Sequence, residues 1–548
     1  MSATQPAAHR LATFEPFSTV GHVDSIEGSV VTCVLSRKDA SGAAFSPTEE
    51  LQIGGLVKMK TTRADVFGFV VSLRTERGNG APADDRWLAA IQLLGEILHG
   101  TSASDERTFT RGVSTYPGLG SPIYTTTGYE LSLVYAPPRK ATAKVGTLFQ
   151  DPTIPAYVVT DDMLGKHFAV LGTTGSGKSC AVALVLKAIL SRHDSGHVVL
   201  LDSHNEYASA FGAKAEVITP EDLQIPYWLM NFEESVTVLT SGSAQTLDVE
   251  AAILKNAIIE SKRKYAANGG SGESITVDTP VPYRLTDLTR YIDMKMGELD
   301  KPTNSIPYLR IKSRIEDLTA DNRLAFMFPG HHLRDNMVEI ISRLLRMPVD
   351  GKPLTILDLS GLPAEILDVI VSVVCRMIFD FAVWSDPAKM EPILLICEEA
   401  HRYIPEAADA GFGPTKKVVS RIAKEGRKYG LSLCLVSQRP SELSASVLSQ
   451  CNTIFALRMS NDRDQEFVRN ALPDNAQGFT SALPTLGTQE AIVIGEGVTV
   501  PTRLRFDKLP PGQQPRSRTA AFSDAWQSGH ADPDAVAQTV ARWRNRIR

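Results

Sequence analysis

A glycine-rich segment has the residue types and spacing of a phosphate-binding loop. Gly172, Gly177, Lys178 and Ser179 satisfy G-x-x-x-x-G-K-[ST], in which backbone amides hold the phosphates, the lysine reaches the β- and γ-phosphates and the hydroxyl binds Mg²⁺. The preceding HFAVL and the following SCAVALVLKAILSRH predict a strand and a helix whose N-terminus faces the anion. The residues predicted to contact a nucleotide are Gly172, Thr173, Thr174, Gly175, Ser176, Gly177, Lys178, Ser179 and Cys180.

Two adjacent carboxylates end a second apolar run, ILLICEEAH. A buried strand of a parallel sheet brings such groups to its carboxyl edge, where ligands bind. We expect Glu398 to hold Mg²⁺ through water, with Ser179 as the other metal-binding residue, and Glu399 to orient and polarise the attacking water. Aspartate is commoner at the first position, but the longer glutamate can still reach a metal-bound water. The alternative is that both groups only solvate the strand end.

The next predicted strand and the helix before it supply two further candidates. LSLCLVSQRP ends in Gln438, which we expect to hydrogen-bond the γ-phosphate or the water and to report hydrolysis. The cationic helix GPTKKVVSRIAKEGRKYG stops at Gly430. Its Arg427, better placed near the helix end than Arg421, is predicted to act on the nucleotide of a neighbouring subunit. A solvent-facing glutamine and a solvated helix face are the alternatives.

Composition indicates a folded chain of several domains. The 548 residues are 43% hydrophobic, and 57 basic against 62 acidic residues give a net charge of −5, so any nucleic-acid surface must be local. No apolar stretch approaches the ~20 residues of a membrane span, and the N-terminus lacks a signal-peptide centre. We therefore expect a cytoplasmic protein without a membrane. The six scattered cysteines predict buried reduced thiols rather than disulfides or a zinc site.

The order of strand-like and helix-like segments predicts how the chain divides into domains. Residues 1–145 contain short β segments typical of a small barrel. Residues 146–508 alternate apolar strands and helices, which indicates an α/β domain with a helix-covered parallel sheet, and a helical insertion interrupts it at about 245–330. Residues 509–548 read as a linker and a short helix, with Asp532 as N-cap, Pro533 at the first position and four arginines near the end.

Several motifs in this order resemble the HerA family of the FtsK–HerA group, which are hexameric DNA-translocating ATPases. They are HFAVLGTTGSGKS, LLDSHNEY, LTILDLSGLP, LLICEEAHRYIP, RIAKEGRKYGLSLCLVSQRPSEL and GVSTYPGLGSPIY, and the resemblance extends from about residue 15 to 508. It implies an N-terminal HAS-barrel and a RecA-like P-loop NTPase core, with a mostly parallel sheet, helices on both faces and a helical insertion. It also implies ATP and Mg²⁺ as cofactors and a homo-hexameric ring around double-stranded DNA.

The resemblance also implies roles for particular residues. Lys178 and Ser179 are the Walker A pair, Glu398 and Glu399 the Walker B pair, Gln438 the sensor and Arg427 the arginine finger. Asp202, His204 and Glu206 match the family's D-x-H-x-E-Y stretch, and we expect Glu206 near the site without a step assigned to it. The C-terminal segment is expected to brace the neighbouring subunit, and DNA binding is the alternative.

The expected function is an ATP-driven translocase of helicase type that threads duplex DNA. Cations lining a channel can track phosphates without reading sequence; Lys416 and Lys417 are the first candidates and residues 262–264 the second, with a solvated helix face open for the latter. A nuclease of the NurA type or a sirtuin-like NADase is expected to dock on the barrel, in DNA end processing or anti-phage defence. The alternatives are a ring that mainly scaffolds and regulates its partner, and a conjugative-type DNA pump.

Overall fold

A computed structural model describes residues 19–36, 51–77, 85–99, 107–241, 246–267, 274–298, 305–328, 333–407, 411–472, 474–516, 522–528 and 533–545. The strands of these ranges form two sheets, one of seven and one of eleven strands. None of the helices in the same ranges combines the length and the apolar character needed to cross a bilayer.

The N-terminal sheet is a closed barrel of six antiparallel strands. Its order is β2-β1-β7-β3-β4-β5, the pairing of β2 with β5 closes it, and β6 adds to β5. Alternate side chains such as Val31, Cys33 and Leu35 fill the interior. The predicted N-terminal barrel is confirmed. The strands are β1 Thr19–Glu27, β2 Val30–Leu35, β3 Leu56–Lys60, β4 Ala64–Glu76, β5 Arg86–Leu98, β6 Phe109–Arg111 and β7 Pro122–Thr125.

The second sheet confirms the predicted α/β core. Its order is β12-β13-β11-β14-β15-β10-β16-β17-β18-β8-β9; the strands from β12 to β16 in this order run parallel, and β17, β18, β8 and β9 run antiparallel. The strands are β8 Thr142–Leu148, β9 Pro155–Val159, β10 Phe168–Leu171, β11 His197–Asp202, β12 Ala215–Ile218, β13 Leu354–Asp358, β14 Ile393–Cys397, β15 Leu431–Ser437, β16 Thr453–Leu457, β17 Glu490–Gly495 and β18 Thr502–Phe506.

Helices cover both faces of this sheet, so its central strands are buried at every position. In β10, Phe168 and Val170 join one hydrophobic cluster, while Ala169 and Leu171 join the other. The helices are α1 Gly128–Val134, α2 Thr160–Leu164, α3 Lys178–Leu190, α4 Ala208–Phe211, α5 Phe232–Leu239, α6 Leu247–Ala267, α7 Leu285–Gly297, α8 Ile306–Ala320, α9 Met337–Leu345, α10 Ala364–Trp384, α11 Gly413–Glu425, α12 Ala445–Leu448, α13 Asp462–Ala471, α14 Phe522–Ser528 and α15 Pro533–Asn545.

Helices α6, α7 and α8 lie in sequence between the parallel strands β12 and β13, where the sequence predicts a helical insertion. One prediction on α6 is wrong. Lys262 cannot line a channel, because its side chain is buried and donates to the carbonyls of Val277 and Thr279, at 2.7 Å each. Burial lowers its pKa to about 8. Of its neighbours, Arg263 pairs with Glu260 at 2.7 Å and Lys264 with Asp287 at 2.6 Å.

Other predictions meet the structure in part. All six cysteines are free, and only Cys180 is not fully buried, as expected. Helix α15 begins at Pro533, whereas the proposed N-cap Asp532 lies outside the described residues. The domain limits 145, 508 and 509 stay predictions; β8, which pairs within the large sheet, spans residue 145.

Candidate functional site

The glycine-rich loop joins β10 to α3 at the carboxyl edge of the parallel strands. Gly177 has φ +98°, a backbone conformation that side chains strain, and a Cβ on it would lie 3.1 Å from Gln489 Cγ. A Cβ on Gly172 would lie 2.8 Å from Leu457 Cβ. The loop therefore requires glycine at both positions, and its backbone stays open to a ligand.

The lysine and the serine that follow the loop are held by groups of the chain itself. Lys178 Nζ donates to the carbonyl of Thr173 at 3.2 Å, and Ser179 Oγ donates to Glu206 Oε2 at 2.7 Å. Burial lowers the pKa of the Lys178 ammonium, while the negative charges of Glu399, Glu398 and Glu206 act in the opposite direction. These groups fit a triphosphate and a cation, because an ammonium, a hydroxyl and several carboxylates converge on one loop.

Glu398 and Asp202 end neighbouring parallel strands, β14 and β11. Asp202 accepts hydrogen bonds from the backbone N–H groups of Glu206, at 3.2 Å, and Tyr207, at 3.0 Å. Glu398 is 4% exposed, and its Oε2 accepts no hydrogen bond from the described residues. Burial raises the pKa of Glu398 well above its usual value, and the charges of Asp202, Glu206 and Glu399 raise it further. A cation bound here would relieve this repulsion.

Glu399 begins the turn that leaves the strand. Its backbone is left-handed, with φ +51°, and its side chain is buried. Two histidine rings flank the carboxylate: His401, with Nδ1 3.3 Å from Oε2, and His204, with Nε2 3.9 Å from Oε1. Burial lowers the pKa of His401, while the charge of Glu399 acts in the opposite direction.

Gln438 contacts the glycine-rich loop directly. Its Oε1 accepts a hydrogen bond from Thr174 Oγ1, because β15, which ends at Ser437, pairs with β10. Ser437 Oγ lies 3.1 Å from His401 Nδ1. The end of β15 is thus linked both to the loop and to the turn that carries Glu399.

The structure does not bring Arg427 to the loop of its own chain. Arg427 lies in the turn Gly426–Tyr429 after α11 and lines a groove with His197, Ile393 and Leu431, the first residues of β11, β14 and β15. The loop follows the last residue of β10, so the two features lie at opposite edges of the sheet. Arg427 is exposed, whereas the guanidinium of Arg421 lies 4.7 Å from the centre of the Phe379 ring.

The first channel candidates lie on α11. Lys416 Nζ donates to the carbonyl of Ala407 at 3.1 Å, and Lys417 pairs with Glu233 at 2.6 Å. Both share an exposed surface with Arg421 and Lys424. This surface carries more basic than acidic groups.

Sequence reasoning missed one residue of the site. Gln489 has φ +63° and its N–H donates to the carbonyl of Ser176 at 3.1 Å. It also bonds the thiol of Cys180, whose pKa is raised by burial. Gln489 lies far along the chain in a segment without a motif. It reaches the loop because β17, which begins at the next residue, pairs with β16, and β16 pairs with β10.

A glycine-rich loop between a central parallel strand and a helix, beside carboxylates on the next strands, defines a P-loop NTPase. Residues 143–378 match the family model described as helicase HerA, central domain. The chain therefore carries a HerA helicase domain and is an enzyme of the ATPase and helicase type.

Single relatives are similar to the chain over most of its length. The chain is 26% identical over 476 residues to the DNA double-strand break repair helicase HerA of Pyrococcus furiosus, covering 79% of each chain. It is 26% identical over 487 residues to a probable helicase of Methanocaldococcus jannaschii, covering 85% of this chain and 88% of the relative. Among solved structures, VirB4 of Thermoanaerobacter pseudethanolicus aligns with a TM-score of 0.48 at 15% identity, over 68% of this chain and 98% of the other.

Proposed function

We propose that the chain is an ATP- and Mg²⁺-dependent motor that assembles into a six-membered ring and drives double-stranded DNA through its channel. The observation that carries this proposal is the convergence of Lys178, Ser179, Glu398 and Glu399 at one edge of the parallel sheet. Relatives named as DNA double-strand break repair helicases support DNA as the substrate.

In this proposal each group has one task in hydrolysis. Lys178 exchanges the Thr173 carbonyl for the β- and γ-phosphates, and Ser179 and Glu398 hold Mg²⁺, the latter through water. The cation neutralises charge on the phosphate oxygens when it is bound. Glu399 orients and polarises the attacking water. Gln438 leaves Thr174 to contact the γ-phosphate or the water.

Arg427 is proposed to complete the site of the neighbouring subunit. Its exposed position, at the edge opposite its own loop, supports this role because a ring places one subunit's edge against the next subunit's nucleotide. A guanidinium that stabilises the transferring phosphoryl group is worth about 10³–10⁵ in rate. A ring with shared sites therefore hydrolyses ATP only when it is assembled.

Mixing two inactive variants tests this shared site. Arg427→Ala subunits keep an intact glycine-rich loop, and Lys178→Ala subunits keep Arg427. Activity should therefore return at interfaces where Arg427 of one subunit meets the intact loop of the other. Arg290→Ala is the control, because it removes an exposed arginine of α7, outside the loop and the α11 surface, and should hydrolyse at close to the wild-type rate. If subunits exchange and the mixture stays as inactive as its parents, Arg427 does not act on the nucleotide of the neighbouring subunit.

The exposed basic surface of α11 is proposed to track duplex phosphates. Charge reversal at Lys417 should weaken binding to all duplex sequences alike and flatten the dependence of affinity on salt, because each phosphate contact releases counterions. Binding that changes for one sequence only would contradict tracking by charge.

We also propose that a nuclease or a sirtuin-like NADase docks on the N-terminal barrel. The exposed Leu98, Tyr116 and Leu119 support a protein contact there. Lys178→Ala distinguishes a ring that acts as a motor for that effector from one that is mainly its scaffold. If the ring is a scaffold, the partner enzyme stays active without ATP hydrolysis; if the ring is a motor, the partner enzyme loses its activity. DNA end processing or anti-phage defence is the proposed setting.

A further inference from the structure

A carboxylate outside the Walker motifs holds the hydroxyl that is expected to bind the metal. Ser179 Oγ donates to Glu206 Oε2 at 2.7 Å. Glu206 follows β11, which pairs with β14, the strand that carries Glu398. The helix after the loop and the segment after β11 therefore meet at Ser179, and the charge of Glu206 also acts on Glu398.

Four carboxylates surround this hydrogen bond, those of Asp202, Glu206, Glu398 and Glu399, and the Lys178 ammonium acts on three of them. Glu398 Oε2 is buried without a hydrogen bond from the described residues, and so is the hydroxyl of Tyr207, which is fully buried beside Ser179. Among the described residues, no group of three or more His, Cys, Asp or Glu side chains is arranged to hold a metal ion by itself. Mg²⁺ generally takes one or two carboxylates together with substrate phosphates and waters.

The backbone of Glu206 is fixed from two sides. Its N–H donates to Asp202 Oδ1 at 3.2 Å, and its carbonyl accepts from the N–H of Arg516 at 2.9 Å. The same C-terminal segment receives a hydrogen bond from Ser209 Oγ to the Gln514 carbonyl, at 3.1 Å. Glu206 is thus held against Ser179 before any ligand arrives.

We propose that Glu206 is a positioning residue of the metal site, which orients the Ser179 hydroxyl and adds its negative charge to the binding of a nucleotide-bound divalent cation. The inference rests on the proposed function, because the cation enters with the triphosphate. A partner that orients a metal ligand is generally worth about 10–100-fold in metal affinity. The charge, and not only the hydrogen bond, carries the effect.

Two substitutions separate charge from hydrogen bonding. Glu206→Gln keeps an oxygen that accepts from Ser179 but has no charge, and Glu206→Ala has neither. The measurement is the affinity of the full-length protein for a fluorescent ATP analogue, first with EDTA and then in a Mg²⁺ titration. Binding of Mn²⁺ in the presence of ADP, followed by electron paramagnetic resonance, gives a second readout without turnover.

Both variants should keep the affinity measured in EDTA or exceed it, because a negative charge near the phosphates is gone. Both should lose about 10–100-fold of the metal affinity. Glu298→Gln, which removes an exposed carboxylate at the end of α7, is the control and should behave as wild type. Glu206→Asp, which keeps the charge, should recover part of the Mn²⁺ signal.

Three results would overturn the proposal: wild-type metal affinity in Glu206→Gln, weaker binding in EDTA in both variants, or no recovery in Glu206→Asp. Failure of the proposed function is recognised separately. In that case Lys178→Ala binds the ATP analogue as tightly as wild type, whatever the variants of Glu206 do.

Discussion

Glu399→Gln is the sharpest test of the hydrolytic site. The substitution removes one negative charge and leaves the volume of a buried side chain unchanged. The His401 and His204 rings that flank the carboxylate, at 3.3 and 3.9 Å, remain in place. The variant should therefore fold like wild type and differ mainly in the chemistry of the attacking water.

The size of the effect follows from the role and the surroundings of the group. A general base contributes about 10²–10⁴-fold, which equals about 2.7–5.4 kcal/mol of barrier at 1.36 kcal/mol per factor of ten. Because the charge of Glu399 acts on Lys178, the carboxylate lies near the position of the phosphates, and its removal takes away repulsion. ATP affinity should therefore hold within a few-fold or increase.

Two assays separate these quantities. Titration with a fluorescent ATP analogue gives the affinity, and release of phosphate under saturating ATP gives the turnover number. Glu298→Gln again serves as the control for loss of one carboxylate. Turnover of Glu399→Gln equal to that of wild type would refute the assignment of the base, and a loss of affinity parallel to the loss of turnover would show a binding role instead.

Three further changes test other contacts. Gln438→Ala should keep ATP affinity and lower hydrolysis by about 10²-fold, as the loss of one transition-state donor does, measured by phosphate release. Gly177→Ala, at φ +98°, should abolish nucleotide binding and lower the free energy of unfolding by only about 1–2 kcal/mol. Lys262→Met should lower the free energy of unfolding by about 1–3 kcal/mol, because the carbonyls of Val277 and Thr279 lose their donor, as urea unfolding will measure. The pKa of Lys262 in the folded chain is about 8, below the ordinary 10.5. Between these two values the unfolded chain binds more protons than the folded chain, so the stability of wild type rises with pH. Wild type should therefore gain stability over the variant as pH rises from 8 to 10 and show no such trend below 8.

The local pattern of the loop could be read from the sequence. HFAVL and SCAVALVLKAILSRH predict the strand and the helix, and the structure has them at Phe168–Leu171 and Lys178–Leu190. The helix ends three residues earlier than the apolar periodicity suggests, because Arg192 and His193 close a turn onto the carbonyl of Ile189. Glycine spacing and apolar periodicity are local properties, which explains why they carry this information.

Contacts between residues far apart in the chain could not be derived from local sequence patterns. Burial of Lys262 depends on carbonyls offered by residues 277 and 279, and no charge pattern in α6 indicates them. The hydrogen bond between Ser179 and Glu206 follows from the neighbouring positions of β10, β15, β14 and β11 in the sheet. The position of Arg427 at the opposite edge depends in the same way on strand direction.

Displacement of a third strand from a DNA triplex measures translocation most directly. A ring that moves along duplex DNA should strip the third strand in the presence of ATP and Mg²⁺, at a rate that follows ATP hydrolysis. Glu399→Gln, which binds ATP without turning it over, should bind the same DNA and leave the triplex intact. If wild type hydrolyses ATP on this DNA and the third strand stays bound, or if displacement proceeds equally without ATP, the proposed DNA-translocating motor is contradicted.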